Sequence, residues 1–353
     1  MSNNTKSSIV TILPAIQFSM STIVMPFLLI FGSGGNIVNL LIFLQKTFRS
    51  NSCSLYMIAA SLLHTLVLCF AMSTTLYSLT HTDPLTYSQP YCKTRQYLIS
   101  AIFTMARCCT GMACFDRFAV TSANANIRAY GRPQVARYII TFIIIIWLIL
   151  PLHLVFFNNI ENDQCQMSGL YLYFFAAYAI IVAAIIPPSM MITFSVLAAK
   201  NIRQTRQRIK PLPIGRINTS EGIRLKQYDY QLLKMLWIDV IIYCISAVPS
   251  PIYYIYAAVT LKSTKTAEEV AWQNFFSYLA YQFLLYIAAS TSLYTNLLVS
   301  KTFRTEFRMF INRLFRCRRR TNQNDSLNNV FNTKSGTPNI VLKRIQKLIA
   351  IEQ

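Results

Sequence analysis

Ala113-Cys114-Phe115-Asp116-Arg117-Phe118 ends a long apolar segment that opens near Cys92. Adjacent Asp and Arg are rare in such a run, because charge at membrane depth is costly and is kept where it acts. Arg117 stands 25 positions beyond Cys92, which is about 37 Å of helix at a rise of 1.5 Å per residue. That length crosses a bilayer, with Cys92 at one face and Arg117 at the other.

The rest of the chain agrees with a membrane setting. It is 54% hydrophobic and 13% charged, about half the charged fraction of a soluble domain and far too apolar for a disordered chain. Seven apolar runs follow one another, at 22–45, 55–80, 95–120, 138–158, 171–197, 230–258 and 272–298. Each is long enough to cross as a helix, and none alternates as a barrel strand would. The first follows a polar start with no recognisable cleavage site, so it is expected to be a span and not a signal peptide. The fold class expected is an all-α membrane protein, a bundle of seven transmembrane helices with a short amphipathic eighth. The boundaries expected are an extracellular N-terminus over 1–21, the bundle over 22–300, a membrane-surface helix over 301–320 and a cytoplasmic tail over 321–353.

The net charge of +21 is uneven. Lys46, Arg49, Arg128, Arg132, Arg137, the basic loop from Lys200 to Lys234 and the segment from Lys301 onward fall on one side. Lys6, Lys93, Arg95, Lys262 and Lys265 fall on the other. The positive-inside rule then puts the C-terminus in the cytoplasm and the N-terminus outside, as in a multi-pass plasma-membrane protein. Anionic lipid accounts for the basic excess better than nucleic acid does, and no nucleic-acid partner is expected. Of nine cysteines, Cys92 and Cys165 are the two expected outside the membrane, and a disulfide between them suits an oxidising exterior. Asn3, in Asn3-Asn4-Thr5, is a glycosylation candidate on the same side.

These residues resemble those of the rhodopsin-like (class A) G-protein-coupled receptors, in a divergent form of the invertebrate peptide-receptor kind. Asp116-Arg117-Phe118 is similar to that family's Asp-Arg-Tyr motif, and the family places a cysteine at the distance of Cys92. The disulfide to the second outer loop is common there, which adds weight to Cys92–Cys165. Gly35-Asn36 matches the family's Gly-Asn pair in the first span, where Asn36 would tie neighbouring helices. Trp147 and Pro151 match the fourth span. Asp229 stands twenty residues before Pro249, where the family has an acid that bonds the third-span Arg in the inactive state. The resemblance implies an ionic latch between Arg117 and Asp229. The plain alternative is that Asp229 is a solvated acid at a helix start.

The departures are as informative. His64 occupies the family's sodium-binding carboxylate position in the second span, and Ala106 beside Arg107 fills the matching place in the third. Sodium modulation is therefore not expected. His64 is read as a buried histidine held by one hydrogen bond, with a protonation switch as the minor alternative. Arg107 must find a partner or water at mid-membrane, and Asp239 is the deep carboxylate available, directly or through water. Ala247 replaces the family's sixth-span Trp. Ser292-Leu293-Tyr294-Thr295-Asn296 replaces Asn-Pro-x-x-Tyr, leaving Tyr294 or Asn296 as the hydrogen-bonding group of the inner relay. Phe303, Phe307 and Phe310 form an apolar stripe on 301–310 that resembles the family's surface helix, and Cys317 is a palmitoylation candidate.

The ligand is read from the outer ends. Ile99 stands where amine receptors carry Asp, and Tyr286 where opsins carry the retinal Lys, so neither class is expected. Tyr97, Tyr178, Tyr253, Tyr254, Tyr281 and Gln282, with Ile99, are the pocket candidates. The outer acids Glu161, Asp163, Glu268 and Glu269 would receive a basic peptide. The expected function is transduction of an extracellular ligand, a neuropeptide for preference, to a heterotrimeric G protein, with membrane lipid as a further partner. A chemosensory small-molecule receptor is the alternative, and a seven-span transporter or channel a more distant one. No enzymatic activity is expected, because His64, Arg107 and Asp239, with His81 and His153, do not form a hydrolytic set. No metal or cofactor is expected.

Overall fold

The computed structural model describes residues 2–161, 163–167, 169–208, 219–260, 263–313 and 315–316, with side chains described at these positions except 2–8, 47, 164, 183 and 205–229. The chain divides into Met1–Phe303, a helical bundle, and Arg304–Gln353, in which 304–313 is helical.

Seven helical stretches follow the apolar runs. α1 is Ser2–Phe43, α2 is Ser52–Tyr77, and α3 is Gln89–Thr121. α4 is Pro133–Ile149, prolonged by a tight turn at Leu150–Leu152, where Pro151 sits, and by His153–Phe157. α5 joins Leu170–Ala179, a wide i→i+5 turn at Ile180–Ile185, and Ile186–Arg208. α6 is Thr219–Ala247 with Pro249–Val259 beyond a break at Val248. α7 joins Ala267–Tyr278, a second wide turn at Leu279–Phe283, Leu284–Ser290 and, past a break at Thr291, Ser292–Val299.

Local chemistry sets two helix starts and one break. Asn51 caps α2 by accepting from the Cys53 N–H at 3.0 Å. Thr266 and Glu269 form a reciprocal capping box at the start of α7, at 3.3 and 2.8 Å. In α6, Pro251 has no N–H to give the Ala247 carbonyl, and the Ser250 hydroxyl donates there instead at 3.4 Å.

Two boundaries differ from the sequence expectation. α1 starts at Ser2 and not near 22; at 42 residues it is about 63 Å long, twice a bilayer core of about 30 Å. Helix propensity does not stop at the membrane face, and 9–21 is apolar enough to continue the turn. Second, six described helices are long and apolar enough to cross a membrane, and α7 is not among them. Gln273, Asn274 and Gln282 make it polar, and Thr291 divides it.

α3 is the central helix. In its most apolar window 56% of residues are buried inside the protein, against 17% in α1 and α4. The outward faces of α1, α4 and α5 show Phe27, Phe31, Phe142, Ile149, Phe174 and Ile181, as a lipid-facing surface should. Lipid gives apolar faces no reason to associate, so helices meet at small residues. Gly32 is such a point: a Cβ there would lie 2.7 Å from the Cβ of Ser290 on α7.

Between α4 and α5, β1 (Asn158–Glu161) and β2 (Gln164–Met167) form an antiparallel hairpin with Ile160 opposite Cys165. The Gln89 carboxamide extends that ladder. It accepts from the Ile160 N–H at 3.0 Å and donates to the Asn159 side chain at 2.8 Å. A disulfide joins Cys165 to Cys92, pinning the hairpin onto the start of α3.

Candidate functional site

At the inner end of α3, Arg117 and Asp116 are 1% and 2% exposed. The Arg117 Nε and Nη2 both donate to Asp116 Oδ2, at 3.0 and 2.5 Å. Nη2 also donates to Asn51 Oδ1 at 2.7 Å. That oxygen already caps α2, so one guanidinium holds the end of α3 against the start of α2. Burying two charges costs several kcal/mol per ion, and their attraction roughly repays it. The cluster therefore acts more as a specific clamp than as a source of stability. Ser52 donates to the Gly131 carbonyl at 2.9 Å, fastening the loop between α3 and α4 to the same corner. Phe118 packs on Phe194 of α5 at 5.7 Å. Asp229 lies on the α6 backbone with its side chain outside the described residues, and the expected Arg117–Asp229 contact falls outside them too. A neighbouring link is described. Gln231 Oε1 accepts from the Ser300 hydroxyl at 3.0 Å and the Thr302 N–H at 2.8 Å, tying α6 to the exit of α7.

Above the clamp, polar side chains bind α1 to α2 and α7. Asn36 Nδ2 donates to the carbonyls of Gly32 and Ala289, at 2.9 and 2.8 Å. Asn39 Nδ2 donates to Ser61 at 2.8 Å and Ser292 at 3.2 Å, and Asn39 Oδ1 accepts from Asn296 at 3.0 Å. Of the two groups expected on α7, Asn296 is wholly buried and faces this network. Tyr294 is 39% exposed and donates to the Phe31 carbonyl on α1 at 3.1 Å.

At mid-membrane, the Arg107 guanidinium lies 5.0 Å from the Tyr243 ring centre and 5.5 Å from that of Phe103. Desolvated contacts of this kind are worth about 2 kcal/mol. Among the described residues the one ion pair is Arg117–Asp116, so Arg107 and Asp239 are not in direct contact. Both line a cavity of about 50 Å³, together with His64. That is space for about three waters, and a water-bridged link fits where the direct pair does not. Asp239 accepts from the Thr295 hydroxyl at 3.3 Å. The single hydrogen bond expected for His64 is not formed among the described residues.

The outer candidates divide three ways instead of lining one cup. Tyr178, Tyr253, Tyr254 and Tyr281 pack on one another and on Phe175 and His153, with ring centres 4.7–5.8 Å apart. Tyr97 joins this cluster and donates to the Leu148 carbonyl at 2.7 Å. Tyr281 also donates to the Ser250 carbonyl at 3.4 Å, connecting the wide turn of α7 to the proline break of α6. Ile99 packs instead against the core of α1, α2, α3 and α7. Gln282 borders a separate outer cavity of about 340 Å³ between α1, α2, α3 and α7. Aromatic composition announced the tyrosines but not their preference for each other. Sequence reasoning passed over Asn39, Asn51 and Gln231 because polar residues near helix ends are usually solvated. Asn51 before a helix start was a visible capping signal. Asn3 has its side chain outside the described residues, and Cys317 lies outside them altogether.

The chain matches the family described as 7 transmembrane receptor (rhodopsin family) over residues 35–294. That stretch runs from the Gly35-Asn36 pair to Tyr294 and includes the clamp, the mid-membrane cavity and the disulfide. A search of curated proteins finds no match. With the match spanning nearly three quarters of its length, the chain belongs to the rhodopsin family of seven-transmembrane, G-protein-coupled receptors, and is a multi-pass membrane receptor and not an enzyme.

Proposed function

We propose that the protein sits in the plasma membrane with its N-terminus outside and couples an extracellular ligand to a heterotrimeric G protein through Arg117. The observation that carries this is the clamp itself. An always-charged side chain is held, 1% exposed, by two groups from α2 and α3 at the end that the charge distribution assigns to the cytoplasm. A buried charge with a second available partner is a switch element. In the active state α6 swings outward about the break at Val248–Pro251, Arg117 leaves Asn51 and the latch expected with Asp229, and a cleft opens for the C-terminal helix of the G protein. The basic stretch from Lys200 to Lys234, whose described ends belong to α5 and α6, flanks that cleft, and the helix over 304–313 rests on the inner leaflet. The ligand shifts the balance only by binding the two states differently.

A peptide is the preferred ligand, on the strength of the exposed acids Glu161 and Asp163 near the outer hairpin. A small molecule is the second reading, favoured by the modest size of the outer cavity, at the low end of the range for ligand pockets. The test is nucleotide exchange by G protein in cells expressing wild type, Arg117→Ala or Asp229→Ala at equal surface density, first without ligand and then with pooled peptides. Raised basal exchange in Asp229→Ala and loss in Arg117→Ala are expected. Arg117→Ala signalling as well as wild type would overturn the assignment.

A further inference from the structure

Resting on the receptor reading above, we propose that Arg95 is the anion-recognising residue of a ligand subsite in the outer cavity, and that the subsite takes one carboxylate. Arg95, on the first turns of α3, is 91% buried (9% exposed). It faces the cavity of about 340 Å³ along with Gln17 and Ser21 of α1, Thr75 and Ser78 of α2, and Gln282 of α7. Its Nε donates to the Thr74 hydroxyl at 3.1 Å, and its Nη2 to the Ala71 carbonyl and the Thr75 hydroxyl, both at 3.4 Å. It also interacts with Tyr286. None of these groups is a carboxylate, and among the described residues no acid lies within 4.0 Å of it.

A guanidinium removed from water needs a counter-charge, and two hydroxyls and a carbonyl supply hydrogen bonds without one. The cavity beside it is roomy and polar, so the missing charge can come from a ligand. A guanidinium fork matches a carboxylate with two parallel N–H···O bonds. A second charged residue of the lining narrows the choice. Asp83 borders the same cavity and uses one oxygen to cap the helix at Pro84–Tyr87, accepting from the Leu85 N–H at 2.9 Å. A second negative charge near Arg95 would meet Asp83, which disfavours phosphates and other polyanions. The ligand class is a monocarboxylate, and either the free C-terminus of a peptide or a small organic acid presents it.

Full-length receptor in lipid nanodiscs tests this. The probes are pooled tripeptides with free C-termini, the same peptides as C-terminal amides, short aliphatic monocarboxylates, and inorganic phosphate, all at matched chloride. The readouts are the thermal midpoint and, in parallel, nucleotide exchange on added G protein. Wild type is expected to gain about 2 °C with saturating carboxylate and nothing with amides or phosphate. Arg95→Gln loses the shift. Arg95→Lys, which keeps the charge without the fork and serves if Arg95→Gln does not fold, needs about tenfold more probe. Asp83→Asn admits phosphate. A shift from the peptides alone assigns the carboxylate to a peptide terminus, and one from the aliphatic acids alone to a small molecule. Absence of any carboxylate shift in wild type, or an equal shift in Arg95→Gln, overturns the subsite. Carboxylate binding without exchange by any form leaves the subsite standing and removes the G-protein assignment instead.

Discussion

Replacing Asn51 by Ser isolates what the clamp contributes to the resting state. Asn51 does two things with one oxygen: it caps α2 and it accepts from Arg117 at 2.7 Å. Serine keeps a cap acceptor, so the α2 start, which is common to both receptor states, is little disturbed. Its hydroxyl is too short to reach the guanidinium. A hydrogen bond to a charged group contributes about 1.5–3 kcal/mol. Arg117 keeps Asp116, so the lower figure applies, and it counts in full if the bond is absent from the active state. At about 1.4 kcal/mol per factor of ten, basal activity should rise about tenfold. A receptor active about 1% of the time becomes active about 10% of the time. The assay is ligand-free nucleotide exchange by purified G protein per receptor in nanodiscs, with surface density measured in cells. Asn51→Asp, which pairs the arginine with a charge, should fall below wild type. Basal exchange within twofold of wild type in Asn51→Ser would show that the α2–α3 contact is equal in both states and that the reasoning fails.

Three further outcomes are expected. With Arg107 at the mid-membrane cavity and His64 on its wall, sodium should find no site, and basal exchange in sodium chloride should equal that in an organic-cation chloride; a sodium-dependent difference would count against it. Asn39→Ala removes three interhelical hydrogen bonds, at about 0.6 kcal/mol each in a membrane. The thermal midpoint should therefore drop by about 4 °C or more, and an unchanged midpoint would show that the bonds are replaced. Gly32→Ala places a methyl group into Ser290 and should lower surface density, with Gly32→Ala/Ser290→Gly restoring it. Failure of that rescue would put the close approach of α1 and α7 in doubt.

Much of the frame was visible in the sequence because it rests on composition. Apolar runs mark spans, and a lone acid–base pair at the end of one marks depth. The Cys92–Cys165 bond was expected from the two thiols that the charge distribution assigns to the outside. What was not visible depends on which neighbour a side chain meets. Arg107 meets the aromatic faces of Phe103 and Tyr243 and makes no direct pair with Asp239. Tyr253, Tyr254 and Tyr281 pack together, and Phe175 of α5 packs on Tyr254. Arg95 counted as one more outer charge until α1 and α2 were folded around it. The wide turns in α5 and α7 have no residue signature, since Ile180–Ile185 and Leu279–Phe283 would serve equally well in an ordinary helix.

The polarity of α7 has a consequence for how the receptor is made. A segment with Gln273, Asn274 and Gln282 gains little by leaving the translocation channel for lipid on its own. Its polar groups find their partners on the first helix to have been synthesised: Tyr278 receives a hydrogen bond from Ser21 at 3.1 Å, and Asn296 donates one to Asn39. The last helix thus needs the first in order to settle, and insertion is completed only when the two ends of the bundle meet. Lesions in α1 should consequently leave chains whose final segment has failed to enter the bilayer, with the C-terminus stranded on the wrong side.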